Sequence, residues 1–170
     1  MVAVVDYAAQ VRDVLIAHAR ALQPSLFVTV NGAEPKSAPV STGVTAAIME
    51  GQGQVLPLAS SLAALSIEYV TTVHLFRKLN LGQKDRDPSI DEAFEPELTT
   101  ARDTYVALLM SDLTGGTLAL ASGQEFNPTG AYGGTTLGWG PAYVEIDGQN
   151  FRTQSITIPA IVFNAWSVTR

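Results

Sequence analysis

Two histidines, His18 and His74, carry the most versatile chemistry in this chain, because cysteine is absent. A metal centre needs several ligands converging on one point. Neither histidine has a second ligand at metal spacing in the sequence, so both read as structural, either satisfied or solvated. A Ser-His-Asp arrangement requires only proximity in three dimensions, but the G-x-S-x-G elbow that often presents such a serine is missing. Asp85-Arg86-Asp87-Pro88-Ser89-Ile90-Asp91 opens like a calcium loop. It then places Ile90 where the sharp turn needs glycine and Pro96 where the bidentate glutamate belongs. It reads as a solvated loop leading into a helix. Gly133-Gly134-Thr135-Thr136 and Gly138-Trp139-Gly140 invite a phosphate-binding reading, yet no Gly-Lys-Ser/Thr follows and no G-x-G-x-x-G pattern is present. Glu50, Glu68, Glu125 and Glu145 are scattered acids that nothing in the sequence brings together. No catalytic, metal or cofactor-binding residue is assigned on these grounds, no cofactor is expected, and the chain does not read as an enzyme.

Composition points the same way. The 170 residues suffice for one core without staples, and a single domain over 1–170 is expected. Hydrophobic residues make up 46% and charged residues 15%, against about 25% charged in a typical soluble protein. Such a surface suits a protein covered by partners. The longest apolar stretch, 55–76, is interrupted by Pro57, Glu68 and His74 and alternates polar with apolar residues, so no membrane partner is expected. Met1 to Asp6 shows neither a basic region nor a long apolar run, and no signal peptide is expected. The net charge of −6 argues against a nucleic-acid gripper, which needs cations to displace phosphate counterions. A cysteine-free chain suits folding in a cytoplasm.

The elements that would position any site follow from periodicity. A helix is expected over about 6–23, capped by Asp6, with Tyr7, Val11, Val14, Leu15 and Leu22 as its apolar stripe and Pro24 beyond its end. Leu26 to Val30 reads as a short strand closed by Asn31-Gly32. A loop with Pro35 and Pro39 follows. Val44 to Met49 and Gln54 to Leu58 read as two strands of a hairpin around Gly51-Gln52-Gly53. Leu65 to Phe76 is the strongest strand, with Ile67, Tyr69, Thr71, Val73 and Leu75 on one face and Ser66, Glu68, Thr72 and His74 on the other. A polar excursion spans about 77–95. A second helix is expected from Pro96, with Leu98, Ala101, Tyr105, Leu108 and Leu109 buried and Gly115-Gly116 ending it. Thr117 to Ala121 reads as a short strand. Ala142 to Ile146, the Asp147-Gly148 turn and Phe151 to Val168 read as a terminal hairpin, in which Pro159 requires a sheet edge or a bulge. Consecutive strands joined by turns predict an α+β fold, a mainly antiparallel sheet with two principal helices packed on one face.

One segment stands apart. The Gly-rich loop at about 122–140 has a single charge, Glu125, and carries Tyr132 and Trp139. Long loops in compact domains are usually functional or disordered, and aromatic side chains are enriched at interfaces. Tyr132 and Trp139 either pack back on the domain or cover a neighbouring chain; with the polar excursion at Lys84, Asp85, Arg86 and Asp87 they make up the candidate assembly surface.

The order of elements resembles one known family. An amphipathic first helix (Val11, Val14, Leu15, Leu22) leads to a short strand, Phe27-Val28-Thr29-Val30. A long strand with a polar excursion, Ile67 to Leu79, and a second helix, Leu98 to Leu113, follow. The chain closes with Tyr143-Val144-Glu145-Ile146 and Phe151-Arg152-Thr153-Gln154-Ser155-Ile156-Thr157-Ile158-Pro159. This series is similar to the tail terminator proteins of long-tailed bacteriophages, small α+β proteins that form a hexameric ring. The Gly-rich loop departs from the compact members. The resemblance implies a virion protein, assembled in the host cytoplasm, that caps the tail tube and ends its polymerisation. Its implied partners are sister copies in the ring, the tail tube protein and a head-completion or neck protein, and DNA passes through without being specifically bound. Another tail tube or neck subunit is the nearest alternative. A small hydrolase or ligand-binding domain, with a pocket holding His18 or His74 beside a carboxylate, is the alternative from a different class.

Overall fold

Apolar residues at a spacing of three and four along the first helix decide which way it packs. The computed structural model describes residues 5–39, 43–56, 64–79, 88–114, 119–122, 126–127, 136–138 and 143–167. Helix α1, Tyr7–Ala21, is capped by Asp6, whose carboxylate accepts the Ala9 backbone N–H at 3.0 Å. Its Tyr7, Val11, Leu15, Ile16 and Ala19 are buried. Burial of a side chain the size of Val11 or Leu15 contributes about 1.5–3 kcal/mol.

The sheet consists of β1 (Thr29–Asn31), β2 (Val44–Leu56), β3 (Ala64–Lys78), β4 (Phe126–Asn127), β5 (Thr136–Gly138), β6 (Tyr143–Ile146) and β7 (Gln149–Ser167). Its order is β1-β2-β3-β7, with β4, β5 and β6 all pairing along the far side of β7. Only β1–β2 is parallel among these pairings; β2, β3 and β7 form a long antiparallel centre. Helix α2, Pro88–Thr114, completes the elements. Its Leu98, Ala101, Tyr105 and Leu109 join α1 and the residues Val44, Ala46, Ile48, Ile67, Val73, Leu75, Ile156, Ile158 and Ala160 in one core. Both helices therefore cover the same face of the sheet. This is the α+β arrangement that the strand runs and the two apolar stripes predict. On the opposite face Ala47, Phe76 and Phe151 form a smaller cluster with Ala38 and Ile146.

Several local expectations are corrected. The hairpin expected at Gly51-Gln52-Gly53 is instead one continuous strand, β2, with a register shift between Met49 and Gln52. A Cβ on Gly51 would lie 2.6 Å from the Val70 carbonyl oxygen, so the glycine permits close backbone approach at a bulge instead of a turn. The second helix starts at Pro88, not near Pro96, and Pro96 lies inside it. Pro88 is thus the proline at the helix start, where a missing N–H costs nothing. Leu108 is exposed, although it lies only about 20° round the helix from the buried Ala101. The expected strand at 117–121 does not form at 119–121. There Leu120 is buried in the core, and the Ser122 backbone N–H and hydroxyl both donate to Gln10 Oε1 of α1, at 3.1 and 2.7 Å. The Gly-rich loop is not bare of structure, since β4 and β5 fall within it. The first strand is shorter and later than expected, at Thr29–Asn31.

The terminal hairpin forms as the sequence predicts. Its two-residue turn has Asp147 at φ 53° and Gly148 at φ 69°, the left-handed pair that matches strand twist. Pro159 lies opposite Val70 of β3, in the stretch of β7 between the partners of β4 (Ile161, Val162) and of β5 (Ser155 to Thr157). The proline thus stands where no described strand needs its N–H.

Candidate functional site

The two histidines lie on opposite sides of the sheet. His18 projects from α1 into the space between the helices, where its Nε2 lies 2.8 Å from Asp112 Oδ2 on α2. The carboxylate accepts, so Nε2 carries the proton of this bond. The ring packs 5.5 Å from that of Tyr105, whose hydroxyl donates to the Leu15 carbonyl at 3.2 Å. Burial pushes the Tyr105 phenol far above its ordinary range. These contacts clasp α1 to α2, and His18 is a satisfied helix-packing histidine at Nε2. Among the described residues no group of three or more His, Asp or Glu could hold a metal ion.

His74 stands on the face away from the helices. It is half-buried, and loss of solvation holds its pKa below the usual 6.5, an effect the Glu34 carboxylate partly opposes. Its ring stacks on Phe76, with centroids 6.2 Å apart and planes inclined by 29°. Both residues line a pocket of about 420 Å³. Glu34, Pro35 and Lys36 of the loop after β1 form one wall. Val144 to Asp147 form the other, and Thr153 of β7 completes the floor. A second hollow of about 640 Å³ is lined by residues between Thr29 and Pro39 and shares Glu34, Pro35 and Lys36 with the first.

Those of the singled-out acids that lie among the described residues stand on three different strands. Glu50 pairs with Arg12 of α1 at 3.1 Å. Glu68 lies on β3 and Glu145 on β6, while Glu125 falls outside the described residues. Of the expected contact residues, Lys84, Asp85, Arg86, Asp87, Tyr132 and Trp139 all lie outside the described residues. What sequence reasoning missed is the grouping of His74 with Glu34, Lys36, Phe76 and Asp147. Their separation along the chain hides it, although the prolines of the 33–39 loop and the Asp147-Gly148 turn were each legible alone.

A second feature is the outer edge of the sheet. β1 pairs only with Thr45 to Ala47 of β2. From Ile48 to Leu56 the outer side of β2 carries no strand among the described residues. The Val28 N–H donates to the Val44 carbonyl at 2.9 Å, so Val44 turns its backbone groups away from β3. Counted by twos along the β3 ladder, Gly53 and Val55 do so too. Residues 51–55 are mostly exposed, with Val55 at 46%. Among the described residues no strand pairs with the outward backbone groups of Gly53 and Val55.

Among helices of the described residues, none is long and apolar enough to cross a membrane. No protein-family model matches the chain, and comparison with curated proteins finds no significant match.

Proposed function

We propose that this chain is a structural subunit of a long-tailed bacteriophage tail, the terminator that forms a homo-oligomeric, hexameric ring on the end of the tail tube. In that role it stops polymerisation of the tube protein and presents the joining surface to a head-completion or neck protein. The observation that carries the reading is the outer edge of β2 from Ile48 to Leu56, along which no strand pairs among the described residues. An open strand edge is a template for another chain, and folded monomers usually blunt it with charge, proline or a cover. Here residues 48–56 hold one charged side chain, Glu50, and that one is engaged by Arg12. A bulge lies before Gln52, and among the described residues no strand pairs along the outer side beyond it. Edge-to-surface contact between copies is head-to-tail, and a head-to-tail contact closes into a ring when its rotation allows. The order helix, strand, long strands, helix, hairpin supports the family resemblance, and a net charge of −6 suits a passage that lets DNA through without gripping it. No catalytic step belongs to this reading. The place of action would be the virion tail, after assembly in the host cytoplasm.

Mass photometry of the purified protein, followed by negative-stain electron microscopy, tests it. Closed rings of one size are expected. Extended tubes would instead identify a tube subunit, and a chain that stays monomeric at high concentration would overturn the assembly role. The pocket over His74 favours a second reading, a ligand-binding domain, and a monomer with saturable binding there would establish it.

A further inference from the structure

We propose that the pocket over His74 is a binding site for a guanidinium-bearing cation. Its volume of about 420 Å³ lies within the range of small-ligand sites. Aromatic and aliphatic groups line it beside Thr153: Phe76 is buried with its ring 6.2 Å from that of the half-buried His74, and Val144 and Ile146 share that face by alternation with their partner strand β7. Flat cations settle over such ring faces, and a guanidinium does so better than an ammonium because it is planar and weakly hydrated. Carboxylates stand at the rim, Glu34 on one wall and Asp147 on the other, and a guanidinium pairs with a carboxylate through two parallel bonds. Glu145 adds negative charge at the same rim, although its position on β6 turns it from the Val144 and Ile146 face. Against these three acids the pocket holds one fixed cation, Lys36. Burial favours the neutral form of His74, so the ring presents a π face and not a second positive charge. An anion would meet the opposite balance. The aliphatic stem of an arginine or of agmatine has Pro35, Val144 and Ile146 to lie against.

The inference does not rest on the tail reading, and its test is separate from that of assembly. Agmatine is titrated into the protein while the imidazole proton signals of His18 and His74 are followed by NMR. A saturable shift of the His74 signal is expected in the millimolar range, with the His18 signal unmoved. Glu34→Gln, a change on an exposed loop, is expected to weaken binding roughly two- to fivefold, the scale of one exposed ion pair. Glu34→Asp is expected to restore part of it, and Lys36→Gln to tighten it. A His74 signal that answers inorganic phosphate but not agmatine would overturn the proposal, as would an agmatine response unchanged in Glu34→Gln. A second arm separates the sources of the cation. If saturating agmatine breaks up self-association, the pocket receives an arginine side chain from another copy; if assembly is untouched while agmatine binds, it receives a free cation. Either outcome upholds the site.

Discussion

His18 Nε2 and Asp112 Oδ2 meet at 2.8 Å across the gap between α1 and α2, joining residues 94 apart in the chain. The carboxylate is half in solvent, with 48% of its side chain exposed, whereas the imidazole side chain is 5% exposed. On the far side of the ring Nδ1 is buried and has no hydrogen-bond partner among the described residues. A neutral ring with its proton on Nε2 leaves only a lone pair unsatisfied there, which costs less than a buried N–H. His18→Ala would remove the bond and leave a void against Tyr105. A loss of about 1–3 kcal/mol of folding stability is expected, read by urea denaturation, with Asp112→Ala costing less because its carboxylate regains water. Nitrogen-15 NMR of the ring should show the Nε2–H tautomer.

Gly51 and Gly53 flank the same turn-like triplet but meet different obstacles. A Cβ at Gly51 would press on backbone, 2.6 Å from the Val70 oxygen and 2.7 Å from its carbonyl carbon. At Gly53 the nearest atom, at 2.6 Å, is Cε1 of the Tyr69 ring, a side chain that can rotate aside. Gly51→Ala is therefore expected to destabilise by about 1–3 kcal/mol and Gly53→Ala by clearly less. Paired thermal denaturations measure the difference.

These glycines also mark where the sequence stopped being legible. Periodicity carried the long elements. Tyr7, Val11 and Leu15 announced α1, and the two faces of β3 were read residue by residue, because burial on one side imposes period 3.6 or 2 wherever the element is long. Gly51-Gln52-Gly53 was ambiguous because glycine serves a turn and a bulge equally, and only the approach of Val70, 19 residues on, decides between them. The start expected for α2 at Pro96 is displaced to Pro88. Pro96 stands beside the apolar residues 98–109, but the helix extends a further two turns back to Pro88, where Ile90, Ala93 and Phe94 continue the helical spacing among polar residues that read as a loop. The pocket is the least legible feature. Glu34, His74 and Asp147 come from three separate parts of the chain, and no local pattern says that a loop and a distant hairpin turn close over one strand.

His74 makes stability depend on pH in one direction. Burial lowers its pKa in the folded chain below the ordinary 6.5, so the unfolded chain binds the proton more tightly. Its contribution is fully present above the unfolded value. As pH falls below about 6.5 the unfolded state gains protons first and stability declines, until the folded-state pKa is passed and the loss levels off. The charged groups that line the pocket with His74, Glu34, Lys36, Glu145 and Asp147, shape the size of that loss, Glu34 by opposing it. Urea midpoints measured from pH 8 to pH 5 should fall less steeply in His74→Asn than in the parent. An equal slope in the two proteins would mean that His74 keeps its solvated behaviour.

The edge of β2 permits a test that separates assembly from folding. Val55 lies opposite Ile67, and its N–H faces outward, away from β3. Proline at such a position removes a donor that the chain's own ladder does not use, and proline is tolerated on edge strands for that reason. Its ring also fixes φ near −65°, so the cost to the monomer is not zero. Val55→Thr controls for the loss of apolar surface at a residue 46% exposed, because it keeps both the β-branch and the N–H. If copies join by adding a strand along residues 52–56, Val55→Pro should shift the population from rings to monomers while the circular dichroism spectrum is retained, and Val55→Thr should leave rings largely intact. Rings that survive Val55→Pro unchanged would place the contact elsewhere on the molecule. Loss of rings in Val55→Thr alone would mean that the side chain holds the interface, with the backbone edge a bystander.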